Sequence, residues 1–116
     1  MRVHGRRYDT REPDDVTLAD GRISDVSAAS QPRASGTLPW LAPGFVDVQV
    51  NGFDGCEFND PALTVAEVLR VSSILDRFGV TSYYPTATTD SYEALSRTMS
   101  TLARACQQSA EVACRV

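Results

Sequence analysis

Two neutral amide side chains, Gln49 and Asn51, end an apolar run in the stretch LAPGFVDVQVNGFDG, residues 41–55. The run predicts a short strand that buries its apolar residues, Phe45, Val46, Val48 and Val50. A glycine-rich turn follows the strand. Residues two apart on a strand point to the same side, so Gln49 and Asn51 share a side with Asp47. Such a group either lines a site at the carboxyl end of the strand or hydrogen-bonds neighbouring loops.

A helix and a second strand follow the amide pair. Thr64 and Glu67 match the capping box T-x-x-E, which satisfies free backbone N–H groups at a helix start. Gly79 suits the left-handed residue that ends the helix. Between them lies an apolar stripe at helical spacing, Val68, Val71, Leu75 and Phe78, and then comes the strand VTSYYP, residues 80–85.

A second helix is predicted after that strand, capped by Asp90 and Glu93. We expect its core-facing stripe to contain Tyr92, Leu95, Met99, Leu102 and Cys106. The order strand, helix, strand, helix predicts parallel strands, and therefore an α/β fold.

The first 40 residues are more polar and predict β structure. Residues 15–26, DVTLADGRISDV, indicate a hairpin with Asp20 and Gly21 in a two-residue turn. Ile23 and Val26 are out of phase with Val16 and Leu18, so we expect a bulge or an early strand end. Residues 27–39 are loop-like because they are rich in Ser, Gly and Pro.

Composition narrows the possible classes of protein. A chain of 116 residues with 42% hydrophobic and 22% charged residues is typical of one globular domain. The net charge of −4 argues against a nucleic-acid partner, and no run reaches the about 18 apolar residues of a membrane span. Three cysteines without a C-x-x-C pair favour reduced thiols and a cytoplasmic location. The single histidine, His4, is expected at the surface and cannot form a histidine-rich metal site.

Four segments carry a family resemblance. PGFVDVQVNG, residues 43–52, resembles the first barrel strand of the amidohydrolase superfamily, in which two His bind metal at the positions held here by Gln49 and Asn51. This Q-x-N-G variant, followed by F-N-D at residues 58–60, resembles the N-acetylglucosamine-6-phosphate deacetylases. GVTSYYPT, residues 79–86, is similar to the second strand of that family. ADGRISDV, residues 19–26, is similar to the β-sandwich segment that precedes such barrels.

The resemblance implies the N-terminal part of a (β/α)8 TIM barrel preceded by a small β-sandwich segment. Residues 1–42 would be the β-rich sandwich segment and residues 43–116 the first two β/α units. The implied reaction is hydrolysis of the N-acetyl amide of an amino-sugar phosphate, giving amino-sugar phosphate and acetate.

The resemblance also implies that the complete enzyme uses one divalent metal ion, a zinc ion, because carboxamides are poor replacements for His ligands. Gln49 and Asn51 would line the active site without binding that metal directly. The family's metal ligands and catalytic Asp come from later strands, so no catalytic, cofactor-binding or metal residue is assigned to this chain. We expect a structural role for Asp47 and a solvated loop position for Glu57.

Three hypotheses about function follow from the sequence. In the first, the chain is an N-terminal deacetylase portion that is inactive alone and is completed by a C-terminal portion; its exposed apolar faces would also allow a homo-oligomer. The second is a non-enzymatic α/β interaction module or gene relic. The third, another amide or cyclic-amide hydrolase, is disfavoured because two-metal hydrolases require His at the positions of Gln49 and Asn51.

Overall fold

A computed structural model of the chain describes residues 1–29 and 37–116. These residues form two compact units, Met1–Pro43 and Gly44–Val116. Of the loop predicted over residues 27–39, residues 30–36 lie outside the described residues, and residues 37–39 have no regular secondary structure. No helix in the described ranges is long and apolar enough to cross a membrane.

The first unit is a four-stranded sheet. Its strands are β1 (Arg2–Arg7), β2 (Pro13–Ala19), β3 (Arg22–Ala28) and β4 (Trp40–Leu41), in the order β3-β2-β1-β4. The predicted hairpin is confirmed: β2 and β3 are antiparallel, and Asp20 and Gly21 both have positive φ, 51° and 72°. The predicted irregularity is confirmed as well, since the register shifts between Thr17 and Leu18.

The two faces of this sheet differ in polarity. On one face His4 Nδ1 lies 2.9 Å from Asp15 Oδ1, and the His4 side chain is only 18% exposed. The expectation of a surface histidine was therefore wrong: pairing across β1 and β2 places His4 directly opposite Asp15, which supplies a polar partner. Val3, Val16 and Leu18 line an open apolar cavity of about 620 Å³ together with Ile23 and Val26.

The second unit combines two parallel strands with helices. β5 (Phe45–Val50) is followed by a small hairpin, β6 (Gly52–Phe53) and β7 (Cys56–Glu57), and then by α1 (Val65–Asp76). Next come β8 (Val80–Pro85), α2 (Tyr92–Gln108) and the short α3 (Ala110–Ala113). β5 and β8 pair in parallel, as the alternation of elements predicted, and the unit is of mixed α/β type.

The start and end of α1 follow the sequence signals. Thr64 and Glu67 form both bonds of the predicted capping box, and Gly79 has the predicted left-handed conformation with φ 78°. Val68, Val71 and Leu75 are buried, as expected. Phe78 is not, being 62% exposed, because α1 ends at Asp76 and the chain leaves the helical path before residue 78. Its ring instead meets the ring of Phe53 edge-on, with centroids 5.2 Å apart.

Burial of β5 differs from the prediction. Val50 is 5% exposed, but Phe45, Val46 and Val48 are 68%, 60% and 72% exposed. Among the described residues β5 pairs along one edge only, with β8, and no second layer covers its remaining apolar side chains. An apolar run indicates that a strand can be buried, but burial occurs only where other segments cover both of its faces.

The core-facing side of α2 also differs. Tyr92 is 81% and Met99 47% exposed, whereas Leu102 is buried as predicted. Small and hydroxylated residues face the core instead, namely Ala94, Thr98, Thr101 and Ala105. Their small size permits close packing of the helix, and the Thr98 hydroxyl donates to the Phe58 carbonyl in the core. The N-cap is Ser91, whose hydroxyl accepts from Ala94 N–H, rather than the predicted Asp90.

Candidate functional site

The carboxyl end of β5 is tied to the residue that follows β8. The backbone N–H of Thr86 donates to the Val50 carbonyl at 2.7 Å. In return the side-chain Nδ2 of Asn51 donates to the Thr86 carbonyl at 3.1 Å. The end of β5 and the residue after β8 are thus joined by one backbone and one side-chain hydrogen bond.

A second tie lies two residues further along. Asn59 Nδ2 donates to the Thr88 carbonyl at 3.1 Å, and Thr88 N–H donates to Asn59 Oδ1 at 2.8 Å. The carboxamide acts here as a peptide group would, offering one donor and one acceptor to the same residue. Asn51 and Asn59, which follow β5 in the sequence, therefore hold Thr86 and Thr88, which follow β8.

Phe58 anchors this loop in the core. Its side chain is fully buried and stacks near the Tyr83 ring, with centroids 6.5 Å apart. Its N–H donates to the Asn51 carbonyl at 2.8 Å, and its carbonyl accepts from the buried Thr98 hydroxyl at 3.0 Å. Both backbone groups of Phe58 therefore have hydrogen-bond partners, as buried backbone groups require.

Gln49 has a different environment from Asn51. Its side chain is exposed and makes no hydrogen bond to any residue that the structure describes, while its backbone N–H donates to Asp47 Oδ1 at 3.0 Å. Asp47, Gln49 and Asn51 line one cleft of about 430 Å³. The apolar part of its wall consists of Val50, Phe53, Leu75, Phe78 and Val80.

The hairpin beside the cleft is fixed by backbone geometry. Gly52 has φ 152°, and a Cβ at this position would lie 2.0 Å from the Cys56 carbonyl oxygen, so no larger residue fits. Asp54 and Gly55, with φ 53° and 76°, form the turn. Arg70 of α1 binds the Asp54 carboxylate at 2.7 Å and holds the hairpin against the helix. Burial raises the pKa of the Cys56 thiol, which favours its neutral form.

The side chains at this strand end do not fit a metal ion. Within residues 1–29 and 37–116 there is no group of three or more His, Cys, Asp or Glu that could hold one. Gln49 and Asn51 are neutral, and the Asp47 carboxylate already accepts from the backbone. Glu57 is exposed, as expected for a solvated loop acid. The described residues therefore offer hydrogen bonds at this position rather than a coordination shell.

Sequence reasoning missed Asn59 and its partner Thr88. Asn59 appeared only within the F-N-D motif, and nothing in its neighbourhood indicated a contact 29 residues away. The useful signal was the residue before it, since an aromatic residue in a polar loop indicates a point where the loop enters the core.

The comparisons with known proteins agree with each other. The chain is 34% identical over 83 residues to N-acetylglucosamine-6-phosphate deacetylase from Bos taurus, a match that covers 71% of the chain and 19% of the relative. It is 35% identical over 98 residues to N-acetylgalactosamine-6-phosphate deacetylase from Shewanella sp. (strain ANA-3), covering 78% of the chain and 24% of the relative. The chain thus spans about a fifth to a quarter of the length of these relatives. No protein-family model matches it.

Two solved structures share its fold. N-acetylglucosamine-6-phosphate deacetylase from Pasteurella multocida superimposes with a TM-score of 0.70 at 20% identity, over 94% of the chain and 31% of that structure. The enzyme of the same name from Thermotoga maritima gives a TM-score of 0.74 at 22% identity, over 93% of the chain and 28% of that structure. At these identities the likeness establishes the fold alone.

The sequence comparisons point to one class of protein, the deacetylases of amino-sugar 6-phosphates, and the two solved structures share its fold. Within that class the chain is recognised as a relative of the N-acetylglucosamine- and N-acetylgalactosamine-6-phosphate deacetylases, matched over a fraction of their length.

Proposed function

We propose that the chain is the N-terminal portion of an amino-sugar 6-phosphate deacetylase. The reaction of the complete enzyme is hydrolysis of the N-acetyl amide, which gives the amino-sugar phosphate and acetate. The observation that carries this proposal is the strand end itself. Parallel strands β5 and β8 end side by side, and the exposed carboxamide of Gln49 lies at the edge where parallel α/β folds place their ligands.

The proposed architecture extends the fold of each unit. Residues 1–42 belong to a small β-sandwich, and residues 43–116 form the first two β/α units of a TIM barrel. A contact near residue 115 supports the second assignment, since Tyr83 N–H donates to the Arg115 carbonyl at 2.8 Å. Residue 115 therefore lies alongside β8, where a third parallel strand would begin.

This chain contributes binding and positioning groups rather than reacting groups. Gln49 and Asn51 line the proposed active site and hydrogen-bond the substrate or its surroundings. The zinc ion expected in the complete enzyme has no ligand set among the described residues, so its ligands and the catalytic acid must come from other segments. We accordingly propose that the isolated 116-residue chain is inactive. We also propose a cytoplasmic location, as expected from the sequence.

A complementing C-terminal portion is the proposed partner. The exposed apolar side chains of Phe45, Val46 and Val48 support this, and so does the edge of β5 that has no strand partner among the described residues, because both features favour association with another chain. The same edge would support a homo-oligomer in the absence of a complement, and an interaction module would use it in the same way.

A complementation assay tests the proposal. The purified chain is mixed with the segment of the Thermotoga maritima relative that it does not cover, with zinc and N-acetylglucosamine 6-phosphate, and acetate release is measured. We expect acetate from the mixture and none from either polypeptide alone. Glu57→Gln serves as a control that leaves the rate unchanged, whereas Gln49→Ala lowers it.

Two results would count against the proposal. Turnover by the isolated chain would overturn its proposed inactivity. A stable complex that releases no acetate would favour the interaction module. Reading the nucleotide sequence after the codon of Val116 gives an independent check, since a following strand with an acidic residue supports the enzyme.

A further inference from the structure

We propose that Asn59 is a positioning residue that fixes the ends of β5 and β8, so that Gln49 is the amide left free to contact the substrate. The identity of the substrate rests on the deacetylase function proposed above. The positioning role of Asn59 and the free state of the Gln49 side chain rest on the geometry of the described residues.

The contact between Asn59 and Thr88 uses both ends of the Asn59 carboxamide. Both hydrogen-bonding ends of its carboxamide engage Thr88, at 3.1 Å and 2.8 Å, so the pair closes a ring of two bonds. A single bond would permit rotation of the segment after β8, whereas two bonds to one residue fix both its distance and its orientation. No aliphatic residue, and no residue with a donor or acceptor alone, can reproduce this arrangement.

Asn59 is itself held in place by its neighbour in the sequence. The preceding residue, Phe58, is fully buried, and its carbonyl is bonded to the Thr98 hydroxyl of α2. The core therefore fixes the position of Phe58, Phe58 fixes that of Asn59, and Asn59 fixes that of Thr88. An exposed, unanchored asparagine would follow the loop instead of directing it.

The two amides at the end of β5 are in unequal states, with Gln49 inside the strand and Asn51 directly after it. Asn51 Nδ2 is used on the Thr86 carbonyl, whereas Gln49 makes no side-chain hydrogen bond to a described residue. Asn51 and Asn59 thus form one frame around Thr86–Thr88. The free carboxamide of Gln49 can donate and accept at once, which suits an amide or hydroxyl group such as those of an N-acetylated sugar.

Amide hydrogen exchange followed by NMR on the 116-residue chain tests the frame directly. In Asn59→Ala, both bonds to Thr88 are lost, and we expect exchange of the Thr88 and Thr86 N–H groups to accelerate about tenfold or more. The N–H of Tyr83 in β8, which donates to the Arg115 carbonyl, should keep its exchange rate within about twofold and reports on the rest of the unit.

Asn59→Asp is the matched variant, since it keeps the size and the acceptor but loses the donor. We expect its Thr88 N–H to stay protected while Thr86 N–H exchanges at a rate between those of the wild type and Asn59→Ala. This variant also decides the question if Asn59→Ala does not fold.

The side-chain NH2 signals distinguish positioning from general stabilisation. In both variants the Asn51 NH2 resonances should shift, and those of Gln49 should stay at the values of a solvated amide. A uniform rise of all exchange rates, with the Asn51 resonances unmoved, would overturn the proposal. Because no step of this experiment depends on acetate release, failure of the frame and failure of the deacetylase assignment can be told apart.

Discussion

The hydroxyl pair of Ser72 and Tyr83 offers a quantitative test of the core of the second unit. Their oxygens are 2.5 Å apart, and the two residues are 3% and 2% exposed. Neither hydroxyl can reach water, so removing one affects the other. Three variants are needed: Tyr83→Phe, Ser72→Ala and the double variant.

The expected free energies of unfolding follow from what each variant leaves behind. Tyr83→Phe leaves the Ser72 hydroxyl, which can turn to a carbonyl of its own helix, and should cost about 1 kcal/mol. Ser72→Ala leaves a buried phenol without its partner and should cost about 2 kcal/mol. The double variant leaves no unsatisfied hydroxyl, so we expect a cost of about 1 kcal/mol and a coupling energy of about 2 kcal/mol.

Urea unfolding monitored by circular dichroism measures these differences, provided that all four proteins give the same dependence on urea concentration. Additive costs, within about 0.5 kcal/mol, would refute the reasoning, because they would show that the two hydroxyls do not depend on each other.

The pH dependence gives a second measurement on the same pair. Burial raises the pKa of Tyr83 above its ordinary value of 10.0, although the bond to Ser72 acts in the opposite direction. A raised pKa means that the folded state keeps the proton, so this stability is present below pH 10.0 and is lost as pH rises through the folded-state pKa. As pH rises above 10.0, the free energy of unfolding of the wild type should therefore fall more than that of Tyr83→Phe.

Three further predictions concern the loop, a helix start and the exposed strand. Thr98→Val removes the donor to the Phe58 carbonyl without changing volume and should cost about 1–3 kcal/mol in urea unfolding, whereas Thr98→Ser keeps the bond; equal costs for both would contradict this. Thr64→Ala removes the N-cap of α1 and should cost about 1 kcal/mol at neutral pH. Because the bonds from Thr64 lower the pKa of Glu67, their contribution is present above the ordinary value of 4.5 and is lost as pH falls through the folded-state pKa, so the difference from wild type should shrink in acid. Val48→Lys, at a residue 72% exposed, should change stability by less than about 0.5 kcal/mol but reduce self-association in sedimentation equilibrium, and unchanged association would show that β5 is not the contact.

The parts of the fold that the sequence predicted are those set by local chemistry. The capping box of Thr64 and Glu67 and the left-handed Gly79 delimit α1 because each involves groups within a few residues of one another. The Asp20–Gly21 turn is of the same kind, since positive φ at two consecutive residues is tolerated by few residue pairs.

The errors arose where burial depends on distant segments. Val48 lies in a run of apolar residues that is typical of a covered strand, but it is exposed. Its burial depends on whether other segments pack against it, and the apolar pattern of the strand carries no information about those segments.

In α2 the predicted stripe is right at Leu102, which is buried, but wrong at Tyr92 and Met99, which are exposed. Thr98 faces the core, where its hydroxyl donates to the Phe58 carbonyl. Thr101 is also buried, and its hydroxyl accepts from Arg104 of the same helix. A periodicity that treats threonine as polar assigns both residues to solvent.

The candidate site combines both situations. The positions of Gln49 and Asn51 at a strand end followed from period-two alternation, which is local. Their different states did not, because Asn51 is bonded to Thr86 at a separation of 35 residues. Two amides of the same chemistry can thus take different roles, one holding the frame and one facing outward, and only the packing of β5 against β8 decides which is which. A carboxamide pair at a strand end is therefore best examined first for the partner that each amide already has, since the amide without one is the candidate to bind a ligand.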